Sequence, residues 1–246
     1  ERLVKEGDAQ DIANTVWACA SLGVESPNLF SQVERNINKL LLKGSMQNLC
    51  NTCYALVLLD LGKKHNTVLT NIWNQTMQNN GADLSKEALV QLAQVEAFAK
   101  AAGIHLLEPS PELRARMCSI ADLTIQESRS QKEVSDILTE LGFMHEKEIP
   151  PTEDWVMGSM LAIDMACRER NIAIEFDGPS HYLKGFGTGE VTRVENGATK
   201  AKRSFLERVG WKVININYHD WIEAKRRKAR GKEWLKEKLS IAGISL

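Results

Sequence analysis

One segment of the sequence occurs twice within the first sixty residues, and this repeat constrains the fold more than any other feature. Asp11–Leu22 aligns without gaps to Asn48–Leu59 at an offset of 37 residues. Each copy carries apolar residues at helical spacing, and the first copy ends at Gly23, before Pro27. A period of this length indicates stacked pairs of helices, because one pair cannot bury its apolar face alone. We therefore expect an N-terminal α-helical repeat solenoid.

The same spacing predicts further helices after each copy. A second helix is expected over residues 29–42, ending at Gly44, and a third, more divergent unit is expected to begin near Ser85. The aligned aromatic residues Trp17 and Tyr54 lie within apolar stripes. We expect them in the core rather than on a base-stacking surface.

A short motif in the first copy resembles a known repeat. Residues 13–18 (Ala-Asn-Thr-Val-Trp-Ala) are similar to the ANTLWA signature of octotricopeptide repeats, which resemble other helical-repeat RNA binders of chloroplasts and mitochondria. In related repeats one unit recognises one base through two or three side chains. The resemblance therefore makes Asn14 and Asn51 candidate RNA-contacting residues.

Charge is distributed unevenly along the chain. From Asp164 onward there are 17 Lys and Arg against 11 Asp and Glu, whereas the residues before it hold 14 basic and 21 acidic side chains. Phosphate binding requires Lys and Arg, so we expect a polyanion to bind the C-terminal half. No apolar run approaches the roughly 18 residues that span a bilayer, so no membrane insertion is expected.

The pattern changes after Pro109-Ser110-Pro111, which predicts domains over residues 1–108 and 109–246. Helices and short β-like runs alternate in the second of these: a helix over 132–141, strands over 143–149, 160–165 and 172–176, a helix over 200–209, a strand over 211–216 and a basic helix over 220–239. This order predicts an α/β domain with a small mixed sheet, so we expect a multidomain α+β protein.

Four segments of the second domain resemble the RAP domain, which occurs in organellar proteins of RNA metabolism: Ile172–Tyr182, Thr199–Leu206, Gly210–Ile214 and Tyr218–Trp221. The resemblance implies a core over residues 172–221 and a protein that binds organellar rRNA or mRNA. Such a protein would act in rRNA maturation, in transcript processing or stability, or as an rRNA-bound ribosomal component beside ribosomal proteins. The implied location is the mitochondrion, with the plastid as the alternative.

Basic and aromatic residues of this domain are candidate RNA contacts. The basic run that begins at Lys225 follows an aromatic-rich strand end, which is typical of an RNA-contacting edge, although charge runs also occur on solvated helix surfaces. The candidates are Lys200, Lys202, Arg203, Tyr218, Lys225, Arg226, Arg227 and Lys228, together with Asn14 and Asn51.

The RAP domain itself resembles the restriction-endonuclease-like superfamily, especially the very-short-patch-repair endonucleases. This resemblance implies an endonuclease-like fold and an alternative function, metal-dependent nucleic-acid cleavage, with Asp164 and Glu175 as ligands of Mg²⁺ or Mn²⁺. The other catalytic candidates are Asp177, His181, Glu133 and Lys200. The superfamily's usual Glu-x-Lys motif is Glu175-Phe176-Asp177 here, so we favour the non-catalytic interpretation, in which no cofactor is expected.

Three further expectations concern the rest of the chain. Cys50 and Cys53 form a C-x-x-C motif without a second ligand pair at zinc spacing, so we expect buried thiols. The acidic repeat half favours a protein-interaction scaffold as a third function. The sequence begins at Glu1 rather than Met, so we expect a piece of a longer precursor.

Overall fold

The protein is described by a computed structural model, which defines residues 7–78, 84–121, 127–155, 160–226 and 231–245. The helices are α1 (Ala9–Leu22), α2 (Pro27–Arg35), α3 (Ile37–Lys43), α4 (Met46–Leu58), α5 (Asn66–Gln78), α6 (Lys86–Ala101), α7 (Pro111–Ala121), α8 (Arg129–Glu140), α9 (Gly197–Arg208), α10 (Tyr218–Arg226) and α11 (Gly231–Ile241). The strands are β1 (Glu146–Ile149), β2 (Ile163–Cys167), β3 (Ile172–Asp177), β4 (Tyr182–Lys184), β5 (Val191–Glu195) and β6 (Lys212–Asn217). Within the described ranges, every helix is too short or too polar to cross a membrane.

Capping residues fix both ends of α1. The carboxylate of Asp8 accepts the backbone N–H of Asp11 at 2.8 Å, and the carboxylate of Asp11 accepts the backbone N–H of Asp8 at 3.0 Å. These bonds satisfy amide groups that have no partner within the helix. At the other end Gly23 adopts a left-handed conformation (φ 64°), which glycine adopts without steric strain. The predicted helix that stops at Gly23 is confirmed.

The first helices of successive repeat units lie side by side. Ser45 caps α4 and Ser85 caps α6, each by accepting an N–H of the first turn, and α4 packs against both α1 and α6. A helix does begin after Ser85, where the sequence predicts a third repeat unit, and the assignment of this helix to a repeat unit stays a prediction. A helical N-terminal region is present, and its assignment as a solenoid stays a prediction.

The single helix predicted over residues 29–42 is wrong, because two helices, α2 and α3, meet at Asn36 (φ −118°, ψ 23°). The side-chain amide of Asn36 donates to the carbonyl oxygen of Gln32 at 2.8 Å. This side chain therefore competes with the backbone for a helical acceptor, which disfavours Asn inside helices. The predicted end of the segment at Gly44 is confirmed.

The C-terminal part contains a four-stranded mixed sheet with the order β1-β2-β3-β6. β1–β2 and β2–β3 are antiparallel pairs, and β3 pairs with β6 in parallel, from Ile172 opposite Lys212 to Asp177 opposite Asn217. A parallel pair needs a long connection, and the chain passes through β4, β5 and α9 between these two strands. The predicted small mixed sheet is confirmed. The β4–β5 hairpin lies where the sequence predicts a glycine-rich loop.

One face of this sheet carries an apolar core. Alternate residues of three strands lie in it: Met165 of β2, Ile172, Ile174 and Phe176 of β3, and Ile214 and Ile216 of β6. Helices α8, α10 and α11 cover this face with Val134, Leu138, Trp221, Leu235 and Leu239. Because successive side chains of a strand point to opposite faces, Glu175 and Asp177 lie on the other face.

The single basic helix predicted over residues 220–239 is also wrong. Two helices occur, since α10 ends at Arg226 and α11 begins at Gly231, and residues 227–230 lie outside the described part. The two helices pack against each other, and the rings of Trp221 and Trp234 are 6.0 Å apart. One straight helix could not bury Trp221 and bring Trp234 against it.

Contacts divide the chain into two units. Among the described residues, the first unit holds α1 to α7 and residues 195–205, and the second holds α8, β1 to β4, most of β5, and the residues from Leu206 onward. The first unit thus includes α7 and most of α9, although both follow the predicted boundary at Glu108. Separate domains over 1–108 and 109–246 stay a prediction.

Close packing of α9 on α1 gives a test of the first unit. A Cβ atom at Gly197 would lie 1.7 Å from the carbonyl oxygen of Ala20, which is a severe clash with backbone. We expect Gly197→Ala to displace α9 and to lower the Tm by at least about 2 °C, because overpacking typically costs about 1–3 kcal/mol. The exposed neighbour Ala198 provides the control, and thermal unfolding of Ala198→Ser should match wild type. Equal Tm values for wild type and Gly197→Ala would contradict this packing.

Candidate functional site

Three acidic residues that the sequence singles out lie on the sheet face opposite the apolar core. The antiparallel register pairs Met165 with Ile174, and its continuation places Asp164 opposite Glu175. All three carboxylates, Asp177 included, alternate with core residues and therefore share one face. Glu175 and Asp177 are only 4% and 2% exposed, and Asp164 is half-buried. The structure thus brings these three side chains together.

Two of the carboxylates bind the backbone of the neighbouring strand. Oδ2 of Asp164 accepts the N–H of Phe176 at 2.8 Å, and Oε1 of Glu175 accepts the N–H of Asp164 at 3.3 Å. These side chains continue the hydrogen bonding of β2 to β3 beyond the last registered pair of residues. Because a buried N–H without an acceptor destabilises a fold, both carboxylates have a structural role.

Asp177 is held by two polar side chains. Its Oδ2 accepts the side-chain amide of Asn215 at 2.7 Å, and its Oδ1 lies 3.2 Å from Nδ1 of His181. Asn215 belongs to β6 and was not among the predicted site residues, although it alternates with Ile214 and Ile216 and so had to face the carboxylates. Asp177 therefore ties β6 to the turn that follows β3.

A divalent metal does not fit this arrangement. Such an ion needs several oxygen ligands that converge on one point. In the ranges that the structure describes, no three His, Cys, Asp or Glu side chains are placed to hold one. One oxygen of Asp164 and one of Glu175 are bonded to backbone N–H groups, and Asp177 is bonded to Asn215. No step through Mg²⁺ or Mn²⁺ follows from this geometry.

Two further catalytic candidates are engaged elsewhere. Glu133 lies on α8, which covers the apolar face, and its carboxylate is 2.5 Å from Nζ of Lys225. Lys200 belongs to the first unit, where its ammonium group lies beside Gly23 at the C-terminal end of α1. A helix C-terminus carries partial negative charge, so a cation is favourable there. Each residue thus has a local structural partner.

The predicted RNA-contacting cations differ in how far their charge is already neutralised. Arg203 forms an ion pair with Glu195, and Lys225 forms one with Glu133. Arg226 is exposed and has no ion-pair partner among the described residues. A cation without a partner can contact a phosphate without first breaking an ion pair.

The remaining predicted contacts of the second half have other environments. Tyr218 packs half-buried against the apolar core, and its ring contacts that of His219 at 5.5 Å. Lys202 is half-buried in α9. Arg227 and Lys228 lie outside the described residues.

Amide side chains form a network across the first helices of the repeat region. Oδ1 of Asn51 on α4 accepts from the amides of Gln47 at 2.9 Å and of Gln91 on α6 at 3.0 Å. Gln47 also donates to Gln91 and accepts from Ser85, both at 3.0 Å. With its oxygen occupied by these donors, Asn51 offers N–H groups to a ligand. The aligned Asn14 is exposed on α1.

Gln91 was missed as a partner of Asn51 because the repeat spacing changes. The helix caps are 37 residues apart from Asp8 to Ser45 but 40 apart from Ser45 to Ser85. A search at a fixed offset of 37 therefore does not align Gln91 with Asn51, although both lie six residues after their caps.

The aromatic pair of the repeats is only partly buried. Trp17 is 43% exposed, so its expected core position is wrong. Tyr54 is half-buried, and burial raises the pKa of its hydroxyl to about 12. Tyr54 is more buried than Trp17 because α4 has α1 on one side and α6 on the other. Among the first helices of the described repeat region, α1 packs only against α4.

The C-x-x-C cysteines are buried, as the sequence predicts. Cys50 and Cys53 are both 0% exposed, and both are free thiols. Burial raises the pKa of Cys50 to about 12 and raises the pKa of Cys53 well above the usual value of a thiol. Since the thiolate is the reactive and metal-binding form, these two residues serve the core.

Comparison with known proteins agrees with the motifs of the second half. A model of the RAP domain matches residues 174–238, which run from β3 into α11. A relative from Oryza sativa subsp. japonica, described as "RAP domain-containing protein, chloroplastic", is 30% identical over 94 residues. That match covers 38% of this chain and 13% of the rice protein, so the chain spans a small part of its relative's length. Residues 174–238 are therefore a RAP domain.

Proposed function

We propose that this protein binds organellar RNA and does not cleave it. The observation that carries the proposal is the RAP domain at residues 174–238, since RAP domains are generally RNA-binding. The excess of basic residues from Asp164 onward supports it, because phosphate contacts dominate the affinity of proteins for nucleic acids. Arg226 also supports it, since this exposed cation has no ion-pair partner in the part of the chain that the structure describes.

The repeat region has a supporting role in this proposal. Its resemblance to octotricopeptide repeats and the side-by-side first helices support a solenoid that contacts unstacked bases. Asn14 and Asn51 occupy equivalent positions, and the bonded oxygen of Asn51 leaves donors for a base acceptor. Because this half is acidic, it would add selectivity more than affinity. The same acidity supports a protein-interaction scaffold as the rival role of this region.

The endonuclease-like ancestry of the sheet is part of the proposal. Its support is the order α8-β1-β2-β3-α9-β6, interrupted only by the β4–β5 hairpin, together with acidic residues on β2 and β3. In this interpretation Asp164, Glu175 and Asp177 persist for structure, since each is bonded inside the fold. A fold does not carry its chemistry with it, so the superfamily's nuclease activity is not inherited.

The proposed cellular role is inferred from the proposed RNA ligand and from the name of the rice relative. The rice protein's name favours a plastid over the mitochondrion that the motifs alone imply. Within that organelle we propose action in rRNA maturation or in transcript processing and stability. A permanent place on ribosomal RNA, in contact with ribosomal proteins, is the alternative for the same surface.

Two adjacent cations allow a matched test of the RNA contact. We expect Arg226→Gln to weaken binding of a labelled single-stranded RNA and to reduce the salt slope of log K by about 0.7, the value for one lost phosphate contact. Lys225→Gln removes the same charge, but Lys225 already pairs with Glu133 and should change the slope less. Fluorescence anisotropy titrations at four salt concentrations measure both variants. Equal slopes for wild type and Arg226→Gln would mean that RNA binds elsewhere.

The carboxylate cluster gives a test of the non-catalytic interpretation. We expect Asp177→Ala to lower the free energy of unfolding by about 1–3 kcal/mol, because Asn215 and His181 lose a buried acceptor. The control Glu169→Ala removes an exposed carboxylate and should change the free energy of unfolding by less than about 0.5 kcal/mol. Urea unfolding compares the two.

The same preparations answer the question of cleavage. We expect wild-type protein to leave labelled single-stranded and structured RNA intact with Mg²⁺, with Mn²⁺ and with chelator. Metal-dependent cleavage that disappears in Asp164→Ala and His181→Ala, while RNA binding persists, would establish a nuclease and overturn this part of the proposal.

A further inference from the structure

Phe186 is the most exposed large apolar side chain of the described residues. It lies in the short loop between β4 and β5, and its relative exposure is 106%, against 83% for Leu42, the next highest. Exposing a whole phenyl ring to water is unfavourable, so a ligand that covers the ring would gain free energy from the apolar surface that it buries.

The hairpin that carries Phe186 is ordered at its tip. The backbone N–H of Gly185 donates to the carbonyl oxygen of Glu190 at 2.8 Å, and that of Gly189 donates to the carbonyl oxygen of Gly185 at 3.0 Å. Gly187 has a positive φ of 77°, which fits this tight loop. Hydrogen bonds therefore fix the loop while Phe186 contributes no packing to it.

The base of the hairpin is anchored to the second unit. The ring of the buried Tyr182 contacts that of His219 edge-on at 5.3 Å, and Nε2 of His219 lies 2.8 Å from the carbonyl oxygen of Thr192. Arg193 of β5 forms an ion pair with Asp220 of α10 at 2.6 Å. The ring of Phe186 thus projects from a fixed support, which reduces the entropy that a ligand contact would have to overcome.

The surroundings of the ring suit a nucleic-acid base. Both sequence neighbours of Phe186 are glycines, so no adjacent side chain covers either ring face. The exposed Lys184 stands two residues away and can neutralise a phosphate. An aromatic ring with open faces beside a cation is the combination that binds single-stranded nucleic acids by stacking.

We propose that Phe186 stacks on an unpaired base of the bound RNA, which makes the β4–β5 hairpin a base-contacting element. This inference rests on the proposed RNA-binding function and adds the contacting residue and the preference for single strands. Stacking depends on the flat π-system, whereas an apolar pocket on a protein partner would accept any apolar side chain of similar size.

The test compares Phe186→Ala, Phe186→Leu and Phe186→Tyr in anisotropy titrations with a labelled single-stranded RNA of mixed sequence and with an abasic strand of equal length. We expect Ala and Leu each to weaken binding of the RNA by about fivefold to a hundredfold, and Tyr to bind within about twofold of wild type. On the abasic strand all variants should bind like wild type. Ile241→Ala removes a residue that is 82% exposed on α11 and should leave both affinities unchanged.

The possible failures are separable. Stacking would be overturned if Phe186→Ala bound RNA as tightly as the wild-type protein, or if Phe186→Leu did so while Phe186→Ala did not. Either result would leave RNA binding itself in place. The second of these results would assign Phe186 to an apolar pocket instead. Absence of RNA binding by the wild-type protein would overturn the proposed function and this inference together.

Discussion

The alternation of apolar and polar side chains along β3 is the constraint on which the second unit depends. Phe176 and its alternate neighbours pack under the helices, so Glu175 and Asp177 lie on the opposite face, where both are buried. Buried carboxylates require donors, and the N–H of Asp164 and the amide of Asn215 provide them from β2 and β6. A slip of one residue in β2 would turn Asp164 into the apolar core, and a slip in β6 would turn Asn215 into it, so these polar bonds fix the register.

The structural use of these carboxylates supports the proposal that RNA binds at the outer surface of the second unit. Asp164 and Glu175 each use one oxygen to complete the bonding between β2 and β3, and among the described residues they form no group of three metal ligands. That surface offers the exposed Arg226 on α10 and the projecting Phe186 on the β4–β5 hairpin. A cation for the phosphate and a ring for the base are the two elements that single-stranded RNA requires. The packed interior of the second unit then holds Arg226 and Phe186 in place at its surface.

The sequence predicts correctly those helices and strands that are determined by neighbouring residues in the chain. The end of α1 follows from Gly23, and the alternation in 172–177 predicts a strand with carboxylates on one face. Errors arose where tertiary contacts decide: the break at Asn36, the exposure of Trp17, and the fold-back of α11 onto α10. The β4–β5 hairpin was missed because β4 has only three residues and glycines surround it, which is a loop signal.

We propose that the RAP domain provides most of the affinity for RNA, while the repeat helices add selectivity. Ultraviolet cross-linking of the full chain to single-stranded RNA, followed by mass spectrometry of the cross-linked peptides, tests it most directly. We expect cross-links within residues 174–238, with peptides that contain Phe186 and Arg226 among them. Cross-links confined to α1, α4 and α6, with none in 174–238, would contradict it.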